Sequence, residues 1–81
     1  MRLDYTERFL KSYAAAPLEI QRTFDSKALL LPQNLRHPSL RAKKYDESRN
    51  LWQARVNRGW RLYFTIERDA YYLVDIIPHP K

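Results

Sequence analysis

The sequence predicts an α+β fold, in which an N-terminal helical hairpin packs on one face of a small antiparallel β-sheet. Two observations support this fold class. Apolar residues recur at helical spacing in the first half of the chain, and three short runs rich in β-branched and aromatic residues follow in the second half. The length of 81 residues suits one domain, so we expect residues 1–81 to fold as a single unit.

Both predicted helices have start and stop signals. In the first helix, Asp4 and Glu7 have the spacing of a capping box, and Thr6 is the alternative N-cap. Pro17 ends this helix and suits the first turn of the second one, which we expect to end between residues 31 and 35. The two apolar stripes are Phe9, Leu10, Tyr13 and Ala14, and then Ile20, Phe24, Ala28, Leu31 and Leu35.

Three segments of the second half predict strands: "LWQARV", "WRLYFTI" and "YYLVDII". The only glycine, Gly59, lies in "NRG", where a three-residue hairpin loop requires positive φ. The segment "ERDA" supplies the next turn. The basic connector "RHPSLRAKKYDES" adds a short strand around residues 40–44.

A hairpin loop at residues 57–59 sets the pairing of the first two of these strands. It places Arg55 opposite Arg61, and Val56 opposite Trp60, so that the ribbon has one apolar and one polar face. The apolar face, which the helices should cover, contains Trp52, Ala54, Val56, Trp60, Leu62 and Phe64. The polar face contains Gln53, Arg55, Arg61 and Tyr63.

The opposed arginines of the polar face suggest an anion site. Like charges directly across a β-ladder repel each other. A phosphate between the two guanidinium groups would replace this repulsion by attraction, because their donors match its oxygens. Alternatively, both side chains point to solvent and their stems cover the sheet. In the next hairpin, a turn at residues 68–69 pairs Tyr63 with Val74. Arg61 then faces Ile76, which adds apolar surface beside the charges.

The net charge of +6 indicates an anionic partner, which is nucleic acid, an acidic protein or an anionic membrane. The alternative, which composition alone leaves open, is a soluble surface that is basic without such a partner. No apolar stretch approaches the roughly 20 residues of a membrane span, and the N-terminal segment lacks the apolar region of a signal peptide. We therefore expect a cytoplasmic protein. The chain has no cysteine and two histidines, so we expect no metal or other cofactor.

Further candidate residues flank the predicted sheet. The connector favours a track for a polyanion backbone, because nine residues contain Arg36, Arg41, Lys43 and Lys44. His79 lies between two prolines after the last strand, a stiff position for a side chain suited to acid–base work near neutral pH. The alternative is an inert histidine, which is the commoner case for a lone histidine near a terminus. His37, which also precedes a proline, is more typical of a residue that fixes a turn, and it is the reserve candidate.

With these residues placed, the chain resembles the RelE/ParE superfamily of bacterial type II toxins. The resemblance covers the helical hairpin and the segments "HPSLRAKK", "LWQARVNRGWRLYFTI" and "YYLVDIIPH". It implies a RelE-like fold and, for the RelE-like branch, a ribosome-dependent mRNA endonuclease that needs no metal. In that chemistry the ribose 2′-OH attacks the adjacent phosphate and the 5′-oxygen of the next nucleotide leaves.

The resemblance also implies roles for individual residues. Arg61, in "GWR", matches the phosphate-stabilising arginine of these toxins, and His79 falls where they carry a catalytic or phosphate-binding side chain. Together with Arg55, these are the expected catalytic residues. Lys43 and Lys44 fall where these toxins carry other basic functional residues. Together with residues of the connector, the hairpin turn and the polar face, they give the expected nucleic-acid-binding residues, which are Arg41, Lys43, Lys44, Arg58 and Tyr63.

Two other functions are compatible with the same resemblance. One is a ParE-like inhibitor that binds DNA gyrase without nuclease chemistry, and the other is a toxin-derived binding protein that has lost its activity. The closing histidine and the opposed arginines favour the nuclease, which acts on mRNA on the ribosome. For either toxin class the resemblance implies a toxin–antitoxin hetero-oligomer, in which an antitoxin that is acidic or has an acidic segment covers the basic face.

Overall fold

The computed structural model of the chain describes residues 2–79. The strands are β1 (Arg2–Tyr5), β2 (Lys43–Asp46), β3 (Leu51–Asn57), β4 (Trp60–Glu67) and β5 (Ala70–Pro78), and the helices are α1 (Glu7–Ala15) and α2 (Leu18–Leu30). The strands form one sheet in the order β1-β5-β4-β3-β2. This confirms the α+β class and the N-terminal helices. The sheet is mixed and not purely antiparallel, because β1 pairs with β5 in parallel.

The N-terminus differs most from the prediction. Residues 2–5 were expected to lead into a helix, but they form β1 at the edge of the sheet. The N-cap of α1 is Thr6, whose hydroxyl oxygen accepts a hydrogen bond from the backbone N–H of Phe9 at 3.1 Å. The same hydroxyl donates to the backbone oxygen of Leu73 at 2.8 Å. Thr6 therefore ties the start of α1 to β5. The last helical residue of α2 is Leu30, one residue before the expected range.

The hairpin of β3 and β4 confirms most of the predicted register. Arg55 lies opposite Arg61, and the other predicted pairs that are confirmed are Ala54–Leu62, Gln53–Tyr63 and Trp52–Phe64. Nearer the turn the prediction is wrong, because Trp60 lies opposite Asn57 and not opposite Val56. Val56 has no partner in the ladder at this bulge, and its side chain is buried in the core.

The turn of this hairpin is shorter than predicted and is held by a side chain. It consists of Arg58 and Gly59, and Gly59 does not adopt positive φ. The Oδ1 atom of Asn57 accepts a hydrogen bond from the backbone N–H of Gly59 at 2.9 Å. An asparagine that bonds the backbone two residues on favours such a turn, so the left-handed glycine is not needed.

The hairpin of β4 and β5 follows the prediction only near its turn. Ile66 lies opposite Tyr71 and Thr65 opposite Tyr72, as the predicted turn at residues 68–69 requires. Beyond Phe64 the register shifts by one residue. Tyr63 therefore lies opposite Asp75 instead of Val74, and Arg61 lies opposite Ile77 instead of Ile76. The alternation of residues in the sequence does not reveal such a shift, because a one-residue bulge has no residue pattern of its own.

The helices cover one face of the sheet, as predicted. On this helix-covered face Ala54, Val56, Leu62 and Phe64 are each at most 2% exposed. Trp52 and Trp60 pack against the same core but are only partly buried. The helices contribute Phe9 and Phe24, whose ring centroids lie 5.1 Å apart. The opposite face, called the open face below, therefore remains to present the polar residues of β3, β4 and β5.

The connector between α2 and the sheet contains the predicted short strand at a shifted position. β2 spans Lys43–Asp46, whereas residues 40–44 were expected. Leu40 lies before it, is 1% exposed, and accepts a hydrogen bond from the backbone N–H of Arg55 at 2.7 Å. The connector thus runs beside the end of β3. Within residues 2–79, neither helix combines the length and the apolar character needed to cross a bilayer.

Candidate nucleic-acid interface

The open face contains a concavity at the end of β3 and β4, which we name the arginine pocket. It is lined by Arg41, Lys43, Gln53, Arg55, Arg61 and His79. Its volume is about 240 Å³, below the roughly 300–1,000 Å³ of pockets that enclose whole small molecules. A space of this size suits one group of a longer ligand, such as a phosphate of a polynucleotide.

Four segments of the chain bring these side chains together. Arg55 and Arg61 are cross-strand partners in β3 and β4, and Lys43 of β2 lies opposite Gln53. Arg41 precedes β2 and has a left-handed backbone, with φ of 46°. Such a conformation is uncommon for a residue with a side chain and turns the connector sharply at this point.

His79 is attached to the hairpin turn through its backbone. Its N–H donates a hydrogen bond to the backbone oxygen of Gly59 at 2.7 Å. The side chain is exposed and lines the arginine pocket. The end of β5 is therefore fixed to the β3–β4 turn, which holds an imidazole beside the cationic side chains.

The charge of the arginine pocket is uncompensated within the described part of the chain. No carboxylate lines it, and neither Arg41, Lys43, Arg55 nor Arg61 forms an ion pair there. The pKa of Arg55 is lowered, first by burial and then by the charges of its neighbours, which are Arg41, Arg61 and Arg58. A bound anion would add attractive charge–charge energies that outweigh this repulsion.

Arg61 also has a structural role that the sequence did not reveal. Its Nη1 atom donates to the backbone oxygens of Asn57 at 2.7 Å and Trp60 at 3.0 Å, with a longer contact to that of Arg58 at 3.3 Å. One end of the guanidinium group therefore holds the hairpin turn. Only its remaining donors are free for an anion in the pocket.

Solved structures with the same architecture are known. No protein-family model and no curated protein sequence matches the chain. A YoeB/ParE toxin from Agrobacterium tumefaciens superposes with a TM-score of 0.79 at 9% identity, covering 99% of this chain and 100% of that one. The archaeal RelE of a RelE–RelB complex from Pyrococcus horikoshii OT3 gives 0.78 at 15% identity, with coverages of 95% and 92%.

The chain has the RelE-like toxin fold. YafQ from E. coli strain BL21(DE3) gives a TM-score of 0.76 at 18% identity, covering 91% of this chain and 88% of that one. The YoeB–YefM toxin–antitoxin complex from Staphylococcus aureus, which is heterotetrameric, gives 0.76 at 12% identity, with coverages of 96% and 95%. Identities of this size establish the fold alone.

On this RelE-like fold, the predicted site residues divide into two groups. Arg41, Lys43, Arg55, Arg61 and His79 meet in the arginine pocket. Lys44 does not, because it lies opposite Trp52 on the helix-covered side of the ladder. Its Nζ lies 5.1 Å from the centre of the Trp52 ring and donates to Asn50 Oδ1 at 2.7 Å.

Tyr63 belongs to the open face, opposite Gln53, but neighbouring side chains cover it. It is 8% exposed, its hydroxyl accepts a hydrogen bond from Gln53 Nε2 at 2.9 Å, and the ring of Tyr45 packs edge-on against it. Tyr45 is 54% exposed, so it is the aromatic ring that this region presents to solvent. Tyr45 was not among the candidate residues predicted from the sequence. Its position two residues after Lys43 could have identified it, because residues two apart on a strand point to the same face.

The reserve histidine has the connector role that its sequence context indicated. His37 Nδ1 lies 2.9 Å from Ser39 Oγ and 3.2 Å from the backbone nitrogen of Ser39. It does not line the arginine pocket. Among residues 2–79, no group of three or more His, Cys, Asp or Glu side chains is placed to hold a metal ion.

Proposed function

We propose that the chain is the toxin of a type II toxin–antitoxin system and cleaves mRNA on the ribosome. One observation carries this proposal: a RelE-like fold with an arginine pocket that has His79 at its edge and, among residues 2–79, no carboxylate in its lining. An uncompensated cluster of guanidinium and ammonium groups suits a phosphodiester, and the imidazole supplies a group for proton transfer.

The proposed reaction needs charge stabilisation and proton transfer. The 2′-oxygen of a ribose attacks the adjacent phosphorus while its proton passes to a base. The bond from phosphorus to the 5′-oxygen of the next nucleotide then breaks, and that oxygen takes up a proton. The products are a 2′,3′-cyclic phosphate and a 5′-hydroxyl. Arg55 and Arg61 are the proposed phosphate ligands, and His79 is the proposed acid or base.

The proposed partner in the resting state is an antitoxin with an acidic segment. The net charge of +6 and the unpaired cations of the open face support this. An acidic segment over the arginine pocket would speed association and would block access of RNA to the same cations. Complexes of RelE with RelB and of YoeB with YefM have the same fold in their toxin subunits and support the proposal.

One observation favours a second candidate function. Because Nη1 of Arg61 is occupied by the hairpin turn, the pocket offers fewer free donors than its composition indicates. A toxin-derived protein that binds without cleaving, including a ParE-like inhibitor of DNA gyrase, needs no more than the charged surface. Such a protein would act through affinity, and His79 would not change its effect.

The two candidates differ in what they do to a translated message. Purified protein is added to an in vitro translation reaction, and the mRNA is mapped by primer extension. We expect breaks within translated codons for the wild type and for His37→Gln, the matched histidine control, and their loss in His79→Gln. Intact mRNA with the wild type would contradict the nuclease. Inhibition of gyrase supercoiling in a parallel assay would then support the second candidate.

A further inference from the structure

A second cationic concavity lies on the other side of Arg41 and Arg55, and we name it the helix-side cleft. It lies between α2 and the end of β3, and its charged lining consists of Lys27, Arg41, Arg55 and Arg58. No Asp or Glu lines it in the part of the chain that the structure describes. Arg41 and Arg55 line both concavities, so the arginine pocket and the helix-side cleft are adjacent.

Arg41 and Arg55 form the wall between the two concavities, and hydrogen bonds tie the backbone of this wall to the helix and to the sheet. Lys27 Nζ of α2 donates a hydrogen bond to the backbone oxygen of Ser39 at 2.8 Å. The backbone N–H of Arg55 donates to the backbone oxygen of Leu40, the next residue, at 2.7 Å. The left-handed turn at Arg41 follows directly. The shared arginines therefore extend from backbone that is fixed to both the helix and the sheet.

Lys27 is a half-buried cation that no carboxylate of the described residues compensates. The pKa of Lys27 is lowered, first by burial and then by the charges of Arg55 and Arg41. One of its three donors is used by Ser39, which leaves two. Arg58, on the exposed two-residue turn, makes no ion pair within residues 2–79. Both cations are thus available to an anion in the helix-side cleft.

We propose that the helix-side cleft is a second phosphate site, in which Lys27 and Arg58 bind a backbone phosphate of an RNA whose neighbouring phosphate lies in the arginine pocket. Arg41 and Arg55 then bridge the two phosphates. Contacts of this kind position a strand without reading its sequence. The inference rests on the RNA-binding part of the proposed function and not on the cleavage step.

The salt dependence of RNA binding measures how many phosphates the protein neutralises. For single strands, log Kd changes with log salt concentration by about 0.7 for each phosphate neutralised. The probe is a fluorescent single-stranded RNA of about twelve nucleotides, a length within the usual site size of single-strand binders. The proteins are the wild type, Lys27→Gln and Arg58→Gln, with Lys11→Gln as the charge-matched control. Lys11 is exposed on α1, where it lies near Glu7.

Two of these variants differ in their structural risk. Glutamine at position 27 retains an amide that can donate to Ser39, and thermal unfolding shows whether the fold survives. Arg58 is exposed on the turn and has no side-chain partner among the described residues, so Arg58→Gln tests the inference even where Lys27→Gln fails to fold. Because the two cations share one phosphate, we expect each variant to reduce the slope by at most about 0.7 and Lys11→Gln to leave it unchanged.

A dinucleotide and a duplex complete the test. A dinucleotide has one phosphodiester and should bind the arginine pocket equally well in the wild type and in Arg58→Gln. If Arg58→Gln reduces the salt slope only with the single-stranded RNA, the second phosphate belongs to the substrate strand. If Arg58→Gln also reduces the slope with an RNA duplex, the second phosphate belongs to structured RNA. RNA binding with a slope that neither variant changes would overturn the inference alone. No RNA binding by the wild type would overturn it together with the RNA substrate of the proposed function.

Discussion

The two faces of the β3–β4 ribbon contribute to stability with opposite signs. On the helix-covered face, Ala54 and Phe64 are 1% and 0% exposed. On the open face, Arg55 and Arg61 lie opposite each other, and no carboxylate of the described residues lines the pocket between them. The burial of apolar surface on one face offsets the repulsion on the other, because each buried aromatic or aliphatic side chain contributes about 1.5–3 kcal/mol. The fold can therefore tolerate repelling arginines on the open face, where they are available to bind an anion.

The largest expected effect comes from breaking the helix-covered face. Phe64→Ala removes a ring that contacts Trp52 and Tyr71 in the core. We expect the free energy of unfolding to fall by about 3–5 kcal/mol, the usual cost of such a cavity. Urea unfolding measures it, with Arg55→Gln as the comparison on the other face. A loss below about 1 kcal/mol for Phe64→Ala would contradict the division between the faces.

The two opposed arginines should themselves differ. Arg61→Gln removes hydrogen bonds to backbone oxygens of the turn, so we expect a loss of about 1.5–3 kcal/mol in the free energy of unfolding. Arg55→Gln should leave stability unchanged or raise it slightly, because it removes one of two repelling charges. Urea unfolding of both variants under the same conditions measures the two changes in the free energy of unfolding. Equal losses would show that the two arginines have the same structural role.

An anion should stabilise the open face in a way that depends on Arg55. With sulfate in place of chloride at equal ionic strength, we expect the melting temperature of the wild type to rise by about 4–8 °C, equivalent to about 1 kcal/mol. Sulfate also stabilises proteins in general by exclusion from their surfaces. The specific effect is therefore the excess over Arg55→Gln. An equal rise in both proteins would contradict an anion site at the arginine pocket.

The smallest effect concerns a compensated charge on the same sheet. Asp46, at the end of β2, accepts hydrogen bonds from the side chain and backbone of Ser48 and from Arg49, and these lower its pKa from 3.8 to about 2. Since the pKa is lower in the fold, the stabilisation is present above the ordinary value and is lost as pH falls through the folded value. Asp46→Asn should thus be less stable than the wild type at pH 6, and the difference should vanish near pH 2. A difference that persists near pH 2 would contradict this assignment.

The sequence predicted the elements whose signals are local. Alternating residues in β3 and β4 identified both faces and the Arg55–Arg61 pair, because this alternation follows directly from strand geometry. The structure confirms the predicted helix break at Pro17 and the alternative cap at Thr6, whereas the predicted capping box at Asp4 is wrong, because Asp4 lies in β1. The confirmed features depend on a few neighbouring residues, so one sequence suffices for them.

The features that the sequence did not predict depend on distant parts of the chain. β1 is a strand only because β5 lies beside it in parallel, and four residues carry too little pattern to show this. The register shift beyond Phe64 placed Asp75 opposite Tyr63, and no residue signals it. The turn contacts of Arg61 and the position of Lys27 beside Arg55 likewise required the tertiary structure.

The most direct test of the central claim is the single-turnover rate of mRNA cleavage on ribosomes for Arg55→Gln, because this residue lines the arginine pocket and does not hold the turn. Arg22→Gln, exposed on α2, is the charge-matched control. The account predicts that Arg55→Gln slows cleavage by about 10²- to 10³-fold, as for the loss of one donor to a transition-state oxygen, while Arg22→Gln retains the wild-type rate. Equal rates in the three proteins would contradict the claim that the arginine pocket binds the phosphate that is cleaved.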